Sequence, residues 1–155
     1  MEPENRQTKA YKFLLSHELG VISTVSDEGE LSSAVIYYFS DDDFNIYFVT
    51  KSNTQKYRNI AANGKIALTI YDEPKRFTLQ ARGTASEVKE QDTQSRIMNH
   101  LAKVRGDSEH AWFPPVALLE GGDYALLKVH LDHIQIADYA NFRKVGSDVV
   151  EDVRS

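Results

Sequence analysis

Along the first half of the chain, runs of β-branched and aromatic residues alternate with short clusters of Asp, Glu, Asn and Gly. That alternation predicts strands joined by tight turns. Val21-Ile22-Ser23-Thr24-Val25 is a strand, Asp27-Glu28-Gly29-Glu30 a turn with Gly29 free to take a positive φ, and Leu31 to Ser40 a long second strand. Asp41-Asp42-Asp43 turns again into Asn45 to Thr50. A helix over Pro3 to His17 precedes them, with Tyr11, Leu14 and Leu15 on one side. Ser52-Asn53-Thr54-Gln55 has the S-x-x-Q form of a capping box and opens a helix to about Ala62, which Asn63-Gly64 closes in a left-handed conformation.

Lys65 to Tyr71 and Phe77 to Glu87 form a hairpin around Asp72-Glu73-Pro74, and Gly83 within its second strand predicts a bulge or a close backbone approach. Glu90 to about Arg105 is a helix with Ile97, Met98, Leu101 and Val104 spaced for one buried face. A loop-rich passage from Gly106 to Gly122, holding Trp112 and Pro114-Pro115, leads to two last strands, Tyr124 to Leu131 and Ile134 to Tyr139. The polar tail from Gly146 is expected to fray. Six or seven mostly antiparallel strands with inserted helices predict one mainly β domain over 1–155, a small barrel whose closure removes exposed edges.

A chain of 155 residues, 41% hydrophobic and 26% charged, can bury a real core. It has no cysteine, which excludes disulfides, a thiolate nucleophile and Cys-held metal clusters. No secretory leader or apolar run of about 20 residues is visible, so the expected compartment is the cytoplasm and no membrane contact is expected. A net charge of −5 argues against nucleic-acid binding. Between Lys51 and Arg82, however, seven basic residues face only Asp72 and Glu73, a window suited to a small anion or to an ordinary solvated face.

The strand-to-helix corner around Thr50, Ser52, Thr54 and Lys56 is the most informative stretch. Free N–H groups, the helix dipole, hydroxyl donors and a mobile ammonium together favour a phosphate there, although the same pattern also suits a capped helix that binds nothing. His130-Leu131-Asp132-His133 resembles a metal pair only in its letters, because on a regular strand the two rings point to opposite faces. His17, His100 and His110 add no second ligand motif, and no metal site is expected. The chain displays no acid/base pair or catalytic triad, so any catalysis depends on a cofactor.

The order of Leu19-Gly20-Val21-Ile22-Ser23-Thr24-Val25, Gly29, Leu31 to Tyr38, Ile46 to Thr50, Ser52 to Asn59, Ile66 to Ile70 and Gln80 to Ala85 resembles the FMN-binding split barrels related to pyridoxamine 5′-phosphate oxidase. The resemblance spans about Tyr11 to Val88. It implies a six-stranded antiparallel split β-barrel that forms a homodimer, with FMN in clefts along the subunit interface. By the same resemblance Ser33, Ala34, Val35 and Ile36 line the flavin, Val49, Thr50, Thr54, Gln55 and Lys56 take its phosphate, and Thr78 stands where a flavin-contacting glutamine is usual. Trp112 is a candidate cover for the cleft.

This chain departs from the oxidases in having Ser33 and Tyr38 for an Arg and a Lys, and Gln55 for an Arg. It also has no Arg-x-His signature near Asn141-Phe142-Arg143-Lys144. These departures point away from vitamin B6 oxidation. The implied function is an FMN-dependent oxidoreductase acting on a small molecule, with NAD(P)H as a transient electron donor. The alternatives are a non-enzymatic flavin- or haem-binding module with a histidine axial ligand, and a dimeric scaffold with an empty cleft.

Overall fold

In the computed structural model the described residues are 4–105, 123–140 and 150–154, in backbone only for 98 and 100–105. The expectations for Trp112, His110, Pro114-Pro115 and Asn141 to Lys144, and for the side chains of Met98, His100, Leu101 and Val104, lie outside them. Helix α1 (Arg6–Ser16) is capped by Asn5, whose side chain accepts from the Thr8 N–H at 3.0 Å. Its buried residues are Ala10, Phe13 and Leu14 rather than the expected Tyr11, Leu14 and Leu15; Leu15 is 50% exposed. Phe13 turns that face inward by packing on Phe77, with ring centroids 4.6 Å apart.

The remaining elements are β1 (Leu19–Val25), β2 (Leu31–Tyr37), β3 (Phe39–Ser40), β4 (Asn45–Lys51), α2 (Gln55–Ala62), β5 (Lys65–Asp72), β6 (Phe77–Glu87), α3 (Gln91–Arg105), β7 (Tyr124–Asp138) and β8 (Val150–Arg154). The strands pair antiparallel in the order β2-β1-β5-β6-β7-β4-β3, with β8 added to β7. Only Tyr38 separates β2 from β3, yet they stand at opposite ends of this path. The sheet therefore has to curl until its ends meet, which makes it a split barrel.

Eight strands stand where the pattern named seven, and three changes account for the difference. The long strand Leu31 to Ser40 breaks at Tyr38, the last two expected strands fuse into β7, and part of the polar tail pairs as β8 instead of fraying. Ile22, Ile46, Phe48, Leu68, Leu79, Leu131 and Ile134 fill the interior. A smaller apolar cluster joins Tyr47, Ile97 and Leu126 beneath α3, with Val49 packed against it.

Two glycines are set by crowding. A Cβ on Gly64 would lie 2.6 Å from the Ala85 carbonyl oxygen, so close packing requires glycine there; the expected left-handed cap is absent, since Asn63 is extended at φ −148°. At Gly83 the close approach matches expectation: a Cβ would meet the His130 carbonyl oxygen at 2.0 Å, and the β6–β7 register shifts between Arg82 and Gly83.

The shift inserts Asp132, so Thr84 pairs with His130 and Arg82 with His133. Thr84 and Arg82 are two apart on β6 and share its outer face, so the two histidines share that face as well, against the expectation from a regular strand. They take separate partners. His130 Nδ1 meets Asn45 Oδ1 at 2.7 Å, and His133 Nε2 lies 3.8 Å from Asp152.

Gly83→Ala should force the β6 and β7 backbones apart. The expected outcome is a loss of about 3 kcal/mol, read as a lower denaturation midpoint at unchanged slope.

Candidate functional site

The corner between β4 and α2 begins with a short chain of hydroxyls. Thr54 is the N-cap of α2: its Oγ1 accepts from the Tyr57 N–H at 3.3 Å and donates to the Lys51 carbonyl at 2.8 Å. With the Thr54 proton engaged, the 2.9 Å contact between Thr50 and Thr54 uses the Thr50 proton. Thr50 is fully buried. Both hydroxyl protons are therefore directed into the corner and hold the helix start in place.

The capping frame is two residues later than the S-x-x-Q pattern suggests. Ser52 instead ties the corner to the start of β7, donating its N–H to the Asp123 carbonyl at 2.9 Å and accepting the Asp123 N–H on Oγ at 3.0 Å.

At the start of α2 the N–H groups of Gln55 and Lys56 have no acceptor among the described residues. Lys56 is half-buried, and no hydrogen bond or ion pair to it is found among them. Burial pushes its ammonium below the ordinary lysine value. A partly desolvated cation without a counter-charge, beside two open N–H groups, is a place where an anion is favoured.

Lys56 opens onto a cleft of about 410 Å³ between α2 and the β1–β2 hairpin, lined also by Ile22, Thr24, Ser32, Ser33, Ala34, Asn53, Thr54 and Gln55. Ile22 pairs with Ala34 and Thr24 with Ser32 across the hairpin, giving the cleft one apolar row and one hydroxyl row. The Ser32 hydroxyl makes no hydrogen bond among the described residues, whereas Ser33 Oγ is 3.0 Å from Ser23 Oγ. Asn59, buried beneath the cleft, donates from Nδ2 to Thr24 Oγ1 at 3.0 Å.

Of the residues expected to surround a ligand, Ser33, Ala34, Thr54, Gln55 and Lys56 come together here. Ile36 is in the core, and Val35 is 48% exposed on the outer face of the sheet. Val49 lines a separate cleft of about 390 Å³ with Gln94, Ser95, Asn99 and Tyr124. Thr78 pairs with Tyr71 and Ala137 on the outer face and lines neither cleft.

Tyr38 is buried and donates to the Leu14 carbonyl at 2.9 Å. Burial, followed by the nearby Glu18 carboxylate, raises its phenol far above the ordinary range. Sequence reasoning missed Ile22, Thr24, Ser32 and Asn59. Strand alternation was the available signal, since Ser32 and Ala34 share the face opposite Ser33 and Val35.

His17, His130 and His133 line neither cleft. His17 stacks on Phe13 and bridges to Asp72 at 2.8 Å. No helix among the described residues is long and apolar enough to cross a membrane.

No curated protein matches the sequence. Among solved structures, ChuZ from Campylobacter jejuni superposes with a TM-score of 0.74 at 17% identity, covering 99% of this chain and 61% of that one. General stress protein 26 from Bacillus anthracis gives 0.59 at 21% identity, over 83% of this chain and 91% of its own. A FAD-binding protein from Mesorhizobium loti gives 0.64 at 14% identity, over 83% and 91%. At these identities the likeness concerns the fold. Residues 7–135 match the family model described as pyridoxamine 5′-phosphate oxidase, and the chain belongs to that family of split barrels.

Proposed function

We propose that this protein is an FMN-binding flavoprotein, working as an oxidoreductase on a small molecule. The half-buried Lys56, unpaired among the described residues, carries the reading: it stands at the open N-terminus of α2 beside a cleft with one apolar and one hydroxyl row. A phosphate at Lys56 would leave the planar ring to lie along Ile22 and Ala34, within reach of the Ser32 hydroxyl. Bound flavin would supply the electron transfer, and the side chains here hold and orient it. A reduced nicotinamide is the proposed electron donor, binding transiently. Flavin is favoured over haem because the described histidines line neither cleft.

A second copy of the chain is proposed to complete the site. The outer face of the β2-β1-β5 end of the sheet exposes Leu19, Val21, Leu31, Val35 and Tyr71, with Ser33 among them. A contiguous exposed apolar area of this kind marks an association surface.

Titrating FMN into the protein should quench flavin fluorescence with saturation, and Lys56→Ala should weaken that binding about tenfold with the fold intact. Equal affinity in the variant would remove Lys56 from the site. Affinity should also fall as pH rises toward the ordinary lysine value of 10.5, because the ammonium discharges below it. In the ligand-free protein the sign is opposite. A lysine held below its unfolded value binds fewer protons when folded, so its contribution to stability improves as pH rises through that window. Lys56→Met is therefore expected to raise the melting temperature of the free protein while lowering its FMN affinity, measured by calorimetry and fluorescence together.

Val21→Glu places a charge in the centre of the outer apolar face. It should convert a dimer to a folded monomer in analytical ultracentrifugation and weaken FMN binding at the same time.

A further inference from the structure

Arg58 is donor-only, and that property sets the direction of a hydrogen-bond chain ending in the cleft. Arg58 Nη2 donates to Gln55 Oε1 at 2.9 Å, so the Gln55 amide must turn its nitrogen the other way. That nitrogen donates to Asn59 Oδ1 at 2.8 Å, and Asn59 Nδ2 then donates to Thr24 Oγ1 at 3.0 Å. Arg58 is itself anchored by a second bond, Nη1 to the Asn53 carbonyl at 2.9 Å.

Thr24 is 2% exposed and lines the cleft. Its oxygen is the acceptor in this chain, and its own proton has no acceptor among the described residues. A nearly fully buried hydroxyl with an unengaged proton loses free energy unless a ligand accepts from it.

We propose that Thr24 is a ligand-binding donor that selects a phosphoryl oxygen, with Asn59, Gln55 and Arg58 as positioning residues that keep its proton facing the cleft. The proposal deepens the reading of the cleft as a phosphate site and rests on it. Ser32, the cross-strand neighbour of Thr24, supplies a second hydroxyl, and Lys56 supplies the charge. A relay of this polarity rejects a ligand that presents a donor at that position.

The test compares FMN with riboflavin, which lacks the phosphate, by fluorescence titration, and uses inorganic phosphate as an independent probe through its effect on melting temperature. Thr24→Val should weaken FMN about tenfold, leave riboflavin unchanged and abolish stabilisation by phosphate, while Thr24→Ser restores both FMN affinity and the stabilisation by phosphate. Arg58→Met, a surface change, should weaken FMN about threefold with riboflavin unchanged.

Should Thr24→Val not fold, Asn59→Asp decides the matter. Its carboxylate only accepts and would draw the Thr24 proton away, so undiminished FMN affinity in that variant overturns the proposal. A folded Thr24→Val that binds FMN and phosphate like the parent overturns the role of Thr24 and leaves the flavin reading standing. A parent that gains stability from phosphate through Thr24 but ignores FMN keeps the donor and overturns the flavin. A parent indifferent to both overturns both.

Discussion

The break in the strand from Leu31 to Ser40 at Tyr38 is the constraint on which the architecture depends. Tyr38 donates its N–H to the Glu18 carbonyl and its hydroxyl to the Leu14 carbonyl, and so fixes the chain against the end of α1. With that corner held, β2 pairs with β1 and β3 pairs with β4, and the two ends of the sheet come from one continuous stretch. The sheet curls because its ends are covalently joined. Removing the phenol would leave the Leu14 carbonyl with only the longer bond from the His17 N–H at 3.4 Å, a cost of about 0.5–1.5 kcal/mol concentrated at the seam.

The α2 corner divides its polar groups by task. Thr50 and Thr54 direct their protons inward and hold the helix start, so those protons are already engaged even though Thr54 lines the cleft. Lys56, the first N–H groups of α2, Ser32 and Thr24 are left for whatever occupies the cleft. Where the related oxidases place an arginine beside the lysine, this chain has Gln55, and its arginine sits three residues on at Arg58. Arg58 is linked to the cleft only through the Gln55 and Asn59 amides, which orient the hydrogen bond at Thr24.

Much of this was legible in the sequence because it rests on local rules. The turn at Gly29, whose φ is 85°, the hairpins, the crowding at Gly83 and the start of α2 beside Lys56 all follow from short patterns. What was not legible depends on contacts distant in sequence. The capping frame moved from Ser52 to Thr54 because Ser52 pairs with Asp123, which no local pattern reveals. The two histidines of β7 came to one face because a single inserted residue, Asp132, reverses the alternation. The strand at Val150 to Arg154 exists because β7 offers it an edge, against a composition that reads as fraying. Thr78 does not line the cleft because alternation along β6 puts it on the outer face. Thr24 escaped notice because its meaning lies in the direction of a proton set by Arg58.

The barrel also separates its folding into two scales of chain distance. The hairpins β1–β2 and β5–β6 join near neighbours, and the whole lining of the candidate cleft falls between Ile22 and Lys56. The β4–β7 ladder is different: the paired Asn45 and His130 stand 85 residues apart, with two strands and two helices between them. Closing the chain over that distance costs more entropy than closing the hairpins, so the β4–β7 ladder is the pairing least favoured to form early. The pocket-forming segment can thus assemble before the ring closes, and a ligand able to hold β1, β2 and α2 together would speed the search for the last pairing.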